Sequence, residues 1–68
     1  MQKKILTNRE KEIFELLVLN ESTKEISDDL NISEKTVRNH ISNVMQKLNV
    51  KTRSGAIIEL IKLGEITL

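Results

Sequence analysis

The sequence predicts an all-α domain of four short helices, and three observations carry that expectation. Leu, Ile, Lys and Glu dominate a chain that has no proline and only 1% aromatic residues, a composition that favours helix over strand. Apolar residues recur at spacings of three and four rather than two. Thr7, Ser22 and Ser33 stand just ahead of such runs, where a hydroxyl can cap free backbone amides.

Helix 1 is expected over about residues 8–19. Thr7-Asn-Arg-Glu10 has the spacing of a capping box, in which the threonine oxygen and the glutamate carboxylate satisfy backbone amides reciprocally. Ile13, Leu16 and Leu17, with Phe14 beside them, supply the inward face, and Leu6 can staple onto the first turn. Asn20 suits a left-handed terminator. Helix 2, about 23–30, follows a second capping-box match, Ser22-Thr-Lys-Glu25. Ile26 and Leu30 face inward, and Ser27 is small enough to let a neighbouring helix approach. Asn31 can take the positive-φ position of a tight turn, and Ile32 buries that turn.

Helix 3, about 34–48, follows Ser33 as N-cap. Val37, Ile41, Val44 and Leu48 fall within roughly 60° of its circumference. The opposite face is polar: Lys35, Arg38, Asn39, Ser42 and Gln46. Thr36, His40, Asn43 and Lys47 line one flank, and Asn49 is the expected C-cap. Helix 4, about 53–63, begins near Thr52 and stops at Gly64, with Gly55 weakening its first turn. Its apolar residues, Ala56, Ile57, Ile58, Leu60, Ile61 and Leu63, cover about 220°, well beyond the roughly 100° of a core-facing stripe. The excess, centred on Ile58 and Ile61, needs a further partner: a second copy of the chain or a loop of the same one.

Bulk properties bound the function. Sixty-eight residues make one domain, 1–68, which buries only about 60% of its unfolded surface. Without cysteine, and with one histidine, neither a disulfide nor a zinc site can reinforce it, so helix packing and dimerisation remain. No metal or cofactor is expected. No glycine-rich loop and no nucleophile with an oriented base is present, so an enzyme is not expected. No apolar run approaches the roughly 18 residues of a membrane helix, and there is no signal-peptide apolar region. A cytoplasmic location is expected.

Net charge is only +1, but its distribution is polarised. Between Glu10 and Glu34, the acids Glu10, Glu12, Glu15, Glu21, Glu25, Asp28, Asp29 and Glu34 face only Lys11 and Lys24. From Lys35 to Ile58 there is no acid, while Lys35, Arg38, Lys47, Lys51 and Arg53 gather there. Such a segment attracts phosphate while the rest stays indifferent.

Helix 2, its three-residue turn and helix 3 together read as a helix-turn-helix. Arg and Lys can donate to guanine O6 and N7, and Asn can bond adenine N6 and N7. Lys35, Arg38, Asn39 and Ser42 are therefore the expected base readers. Thr36, His40, Asn43 and Lys47 lie where groove walls and phosphates would be. The free amides at the start of helix 2, with Thr23 and Lys24, suit a phosphate. Plainer roles compete for several of these. His40 can be a hydrogen-bonded histidine at the core boundary, Asn43 and Gln46 solvated polar groups, and Lys3 and Lys4 a frayed tail. Arg53 is divided between a phosphate and an ion pair with Glu10.

The residues Leu6-Thr-Asn-Arg-Glu10, Thr23-Lys-Glu-Ile26, Ile32-Ser-Glu-Lys-Thr-Val-Arg-Asn-His40, Lys47-Leu-Asn-Val50, Arg53 and Ala56-Ile57 resemble the LuxR-type, or GerE-like, helix-turn-helix domain. The resemblance spans residues 5–66. Ser33 to Val50, with Lys51, Arg53, Ser54, Glu59-Leu60 and Gly64-Glu65, carries a closer similarity to the small stand-alone spore-development regulators of that family. The resemblance implies a four-helix domain and a homodimeric transcription regulator. Arg38, Asn39 and Ser42 would read bases; Lys24, Thr36, His40 and Lys47 would touch the DNA backbone. Helix 4 would form the dimer seam, with Ile58, Ile61, Lys62 and Glu65 on it. Expected partners are a pseudo-palindromic DNA duplex, a second copy of the chain and RNA polymerase. Two other readings stay open: a DNA-binding output domain of a longer response regulator or ligand-sensing regulator, and a helical protein-interaction module that does not bind DNA.

Overall fold

A computed structural model describes residues 5–67, and these form four helices: α1 (Asn8–Val18), α2 (Thr23–Leu30), α3 (Glu34–Leu48) and α4 (Arg53–Lys62). Each begins at a hydroxyl cap. Thr7 Oγ1 accepts from the Glu10 amide at 3.2 Å, and Glu10 Oε1 accepts from the Thr7 amide at 2.9 Å. Ser22 and Glu25 repeat this reciprocal pairing at 3.1 and 2.8 Å. Ser33 Oγ accepts from the Thr36 amide, and Thr52 Oγ1 from the Gly55 amide. Gly55 has a use there: a Cβ would stand 3.0 Å from the capping Thr52 oxygen.

Three asparagines end or follow helices in the left-handed region: Asn20 (φ 67°), Asn31 (φ 57°) and Asn49 (φ 55°). Asn tolerates that conformation better than other residues with a Cβ. Ordinary helical geometry stops one residue before the sequence expectation in two places. Leu19 caps α1 and Leu63 caps α4, because the Asn20 and Gly64 reversals draw the preceding residue out of the helix. Gly64 has φ 75°, after which the Glu65 amide returns to the Leu60 carbonyl at 2.9 Å.

α3 is the central element and packs against α1, α2 and α4. The core is Leu6, Ile13, Phe14, Ile26, Val37, Ile41, Val44, Ala56, Leu60 and Ile66. Phe14 and Ile13 are wholly buried, while Leu16 and Leu17 are packed at the core margin. The deepest face of α1 is therefore set by the 13–14 pair rather than by 16–17. Each large side chain withdrawn from water contributes roughly 1.5–3 kcal/mol, more than a typical single cap at about 1 kcal/mol. Ser27 is buried as its size suggests, and its hydroxyl donates to the Lys24 carbonyl at 2.7 Å. Ile66, beyond the last helix, is also buried and completes the core beside Leu6. No described helix is long and apolar enough to cross a membrane.

Candidate nucleic-acid interface

α3 turns two unlike faces outward and inward. Val37, Ile41 and Val44 are buried. Lys35, Arg38, Asn39, Ser42 and Gln46, all exposed, occupy an arc of about 100° on the other side. The turn before α3 is held by Asn31 and by the Ile32 amide, which donates to the Ser27 carbonyl at 3.1 Å. That fixes α2 against α3 and leaves the polar face of α3 exposed. A helix offering Arg, Lys and Asn on one exposed arc fits a major groove.

The flanking residues are less uniform. Thr36 is half-buried and its hydroxyl lies 2.9 Å from Ser33 Oγ. Asn43 is exposed, as are Lys24 and Arg53. His40 is half-buried, and its Nδ1 is enclosed without a hydrogen-bond partner. His40 thus sits at the core boundary, without a hydrogen bond at that nitrogen. Lys3 and Lys4 lie outside the described residues.

Lys47 departs most from expectation. Its ammonium sits 2.6 Å from Glu10 Oε1 and donates to the Ile5 carbonyl at 3.1 Å. The Glu10 side chain is 5% exposed and that of Lys47 38%. Lys47 is thus engaged with α1 and the chain entering it. Arg53 does not pair with Glu10; Lys47 takes that place because it reaches across from the facing helix. Burial works against ionisation of Glu10, but the Lys47 and Thr7 hydrogen bonds and the Lys47 charge outweigh it and hold the carboxyl below its ordinary value.

The expected dimer residues also divide. Ile58 is 54% exposed, and Leu63 and Lys62 are exposed beside it. Ile61 is half-buried and packs on its own core. The Glu65 carboxylate accepts from the Ile5 and Leu6 amides of its own chain at 3.3 and 3.4 Å. The reversal at Gly64 turns Glu65 toward the N-terminal segment, away from the line of α4.

Two acids were not anticipated in these roles. Glu34, the first residue of α3, accepts from the Thr23 hydroxyl at 3.5 Å and lies 3.7 Å from Arg38 Nη1. Its i, i+4 spacing to Arg38 was the available signal. Glu10 had no such signal as a lysine partner, since Lys47 is 37 residues away. On α2 and its approach, the neighbouring Asp29 carboxylate, with burial and the charge of Glu25, pushes the Glu21 carboxyl above its ordinary value. Among the described residues no cluster of His, Cys, Asp and Glu could hold a metal ion.

The fold and its exposed third helix define a helix-turn-helix DNA-binding module. Residues 4–60 match the family model described as bacterial regulatory proteins, luxR family. The chain is 64% identical over 66 residues to the spore germination protein GerE of Bacillus subtilis (strain 168), covering 97% of this chain and 89% of that one. It is 50% identical over 60 residues to the transcriptional regulatory protein DegU of Brevibacillus brevis, but spans only 25% of that protein. A solved structure of the transcription factor GerE superposes with a TM-score of 0.93 at 63% identity, covering 96% of this chain and 97% of that one. The chain belongs to the LuxR family of bacterial regulatory proteins, DNA-binding transcription regulators rather than enzymes.

Proposed function

We propose that this regulator binds double-stranded DNA as a homodimer, with α3 of each copy in a major groove of a roughly twofold-symmetric site. The exposed arc of α3, set opposite a wholly buried one, is the observation that carries the reading. Lys35, Arg38, Asn39 and Ser42 read bases. Thr23, Lys24, Thr36, His40, Asn43 and Arg53 meet the DNA backbone. Lys47 approaches a phosphate only with the part of its ammonium that Glu10 leaves free. Ile58 and Lys62 form the centre of the seam between copies, with Ile61 behind them. The likeness to GerE supports a stand-alone regulator of spore development, acting in the cytoplasm with RNA polymerase as its downstream partner.

The test separates base readers from phosphate contacts. Arg38→Ala is expected to cost about 1–3 kcal/mol on a preferred duplex and to relax base preference. Lys24→Ala is expected to weaken all duplexes alike and flatten the salt dependence by about one contact. Fluorescence anisotropy at several salt concentrations measures both. Indistinguishable variants would remove the division of roles.

The partial match to DegU favours a second reading, in which the chain is the output module of a longer regulator. Mapping the transcript and its reading frame decides between the two.

A further inference from the structure

We infer that Glu34 is a specificity-determining residue, which holds Arg38 back from phosphates and so suppresses binding to arbitrary DNA. The inference rests on the DNA-binding reading of α3. Glu34 is the last acid before the acid-free stretch that runs from Lys35 to Ile58, and it opens the helix whose exposed arc carries the base readers. Its Oε1 lies 3.7 Å from Arg38 Nη1 and accepts the Thr23 hydroxyl at 3.5 Å. One carboxylate oxygen therefore engages a group assigned to bases and a group assigned to the DNA backbone. Arg38 and Glu34 are both about half exposed, so their pairing is weak and readily exchanged for a better acceptor.

What Arg38 exchanges it for depends on the DNA. A guanine offers O6 and N7 together in a geometry that matches the guanidinium fork. A phosphate can also take the guanidinium fork with its two charged oxygens, but Arg38 reaches one only by leaving Glu34, whose own charge repels the phosphate. On arbitrary sequence Arg38 therefore stays with Glu34, and one cation is withheld from the phosphates. On a matched sequence Arg38 leaves for the base. Glu34 acts through Arg38 and is a positioning residue.

The experiment compares wild type with Glu34→Gln on two probes: a random-sequence duplex, and the duplex that wild type selects best from a random library. The expected result is a rise of about 3–10-fold in random-duplex affinity at low salt, with a salt slope steeper by about one phosphate contact. Affinity for the selected duplex changes less than about 2-fold, so discrimination falls. In an Arg38→Ala background the same substitution is expected to leave the slope unaltered, because no arginine is released. Three results overturn the inference. The slope steepens equally without Arg38, so the carboxylate acts only by repulsion. Alternatively, preference is lost at one base pair while random binding stays constant, so Glu34 reads a base itself. Lastly, neither probe responds. Failure of the wild type to bind the random duplex at low salt would instead remove the DNA-binding reading, and this inference with it. Thermal unfolding of the Gln variant should match wild type, since Glu34 is exposed.

Discussion

Lys47 was legible as a cation on the flank of helix 3, and a phosphate contact was the natural expectation. Its 2.6 Å approach to the buried Glu10 carboxylate makes it a brace between α3 and α1 as well. Removing the ammonium leaves a buried carboxylate with only the Thr7 amide. Lys47→Met is expected to cost about 1–2 kcal/mol at pH 7, discounted from a fully buried pair because the lysine is partly solvated. The pH dependence follows from the depressed Glu10 value. A carboxyl whose folded value lies below its unfolded one stabilises the fold above the unfolded value, about 4.3. That stabilisation is lost as pH falls through the folded value. The difference between wild type and Lys47→Met should therefore shrink as pH falls below about 4. Urea unfolding at pH 7 and pH 3 measures it, and a pH-independent difference would argue that lost packing of the lysine stem, not the ion pair, is responsible.

At the scale of the element, the caps and reversals were the most readable features. A capping box is local: its donors and acceptors lie three residues apart, so Thr7–Glu10 and Ser22–Glu25 could be placed without knowing the fold. The left-handed asparagines are equally local. Asn31 holds the turn that sets α2 against α3, and Ala there must adopt a φ of 57°, a conformation that costs an ordinary L-residue about 1–2 kcal/mol. Asn31→Ala is expected to lower stability by about 1 kcal/mol, and Asn31→Gly to change it little, by thermal or denaturant unfolding. Equal losses in both variants would mean that the asparagine side chain, and not its φ, holds the turn. Helix periodicity resolved less than the caps did. It marked Ile13, Leu16 and Leu17 as inward with Phe14 beside them, but only the packing of the helices decided that Ile13 and Phe14 lie deepest.

For the whole molecule, α4 is where sequence and tertiary structure share the answer. The wide apolar arc was evident from spacing, and the expectation of a second partner followed from it. The structure then divides the arc. Ile61 packs on its own core, so replacing it with a charge would disturb the fold and confuse a test of assembly. Ile58 is exposed and is the better probe. Ile58→Glu is expected to yield a folded monomer in sedimentation, with unchanged helical circular dichroism and weakened binding to a two-half-site duplex. An unchanged mass would move the seam away from this face of α4. Glu65, expected on the seam, also accepts from the Ile5 and Leu6 amides of its own chain. With the buried Leu6 and Ile66, it joins the two ends of the described chain beside α1.

The sequence alone determined the helices, their starting caps, the three asparagine reversals and the polar arc of α3, because each depends on residues within one or two turns of each other. It also identified the family, since the motif residues and their spacing run along nearly the whole chain. Only the tertiary structure decided which partners Lys47 and Glu65 take. Lys47 meets Glu10 across 37 positions and Glu65 meets Ile5 across 60, pairings that exist only once α1, α3 and the ends of the chain are packed together. A charged side chain has many partners of suitable sign along a sequence, and the fold brings one of them within reach.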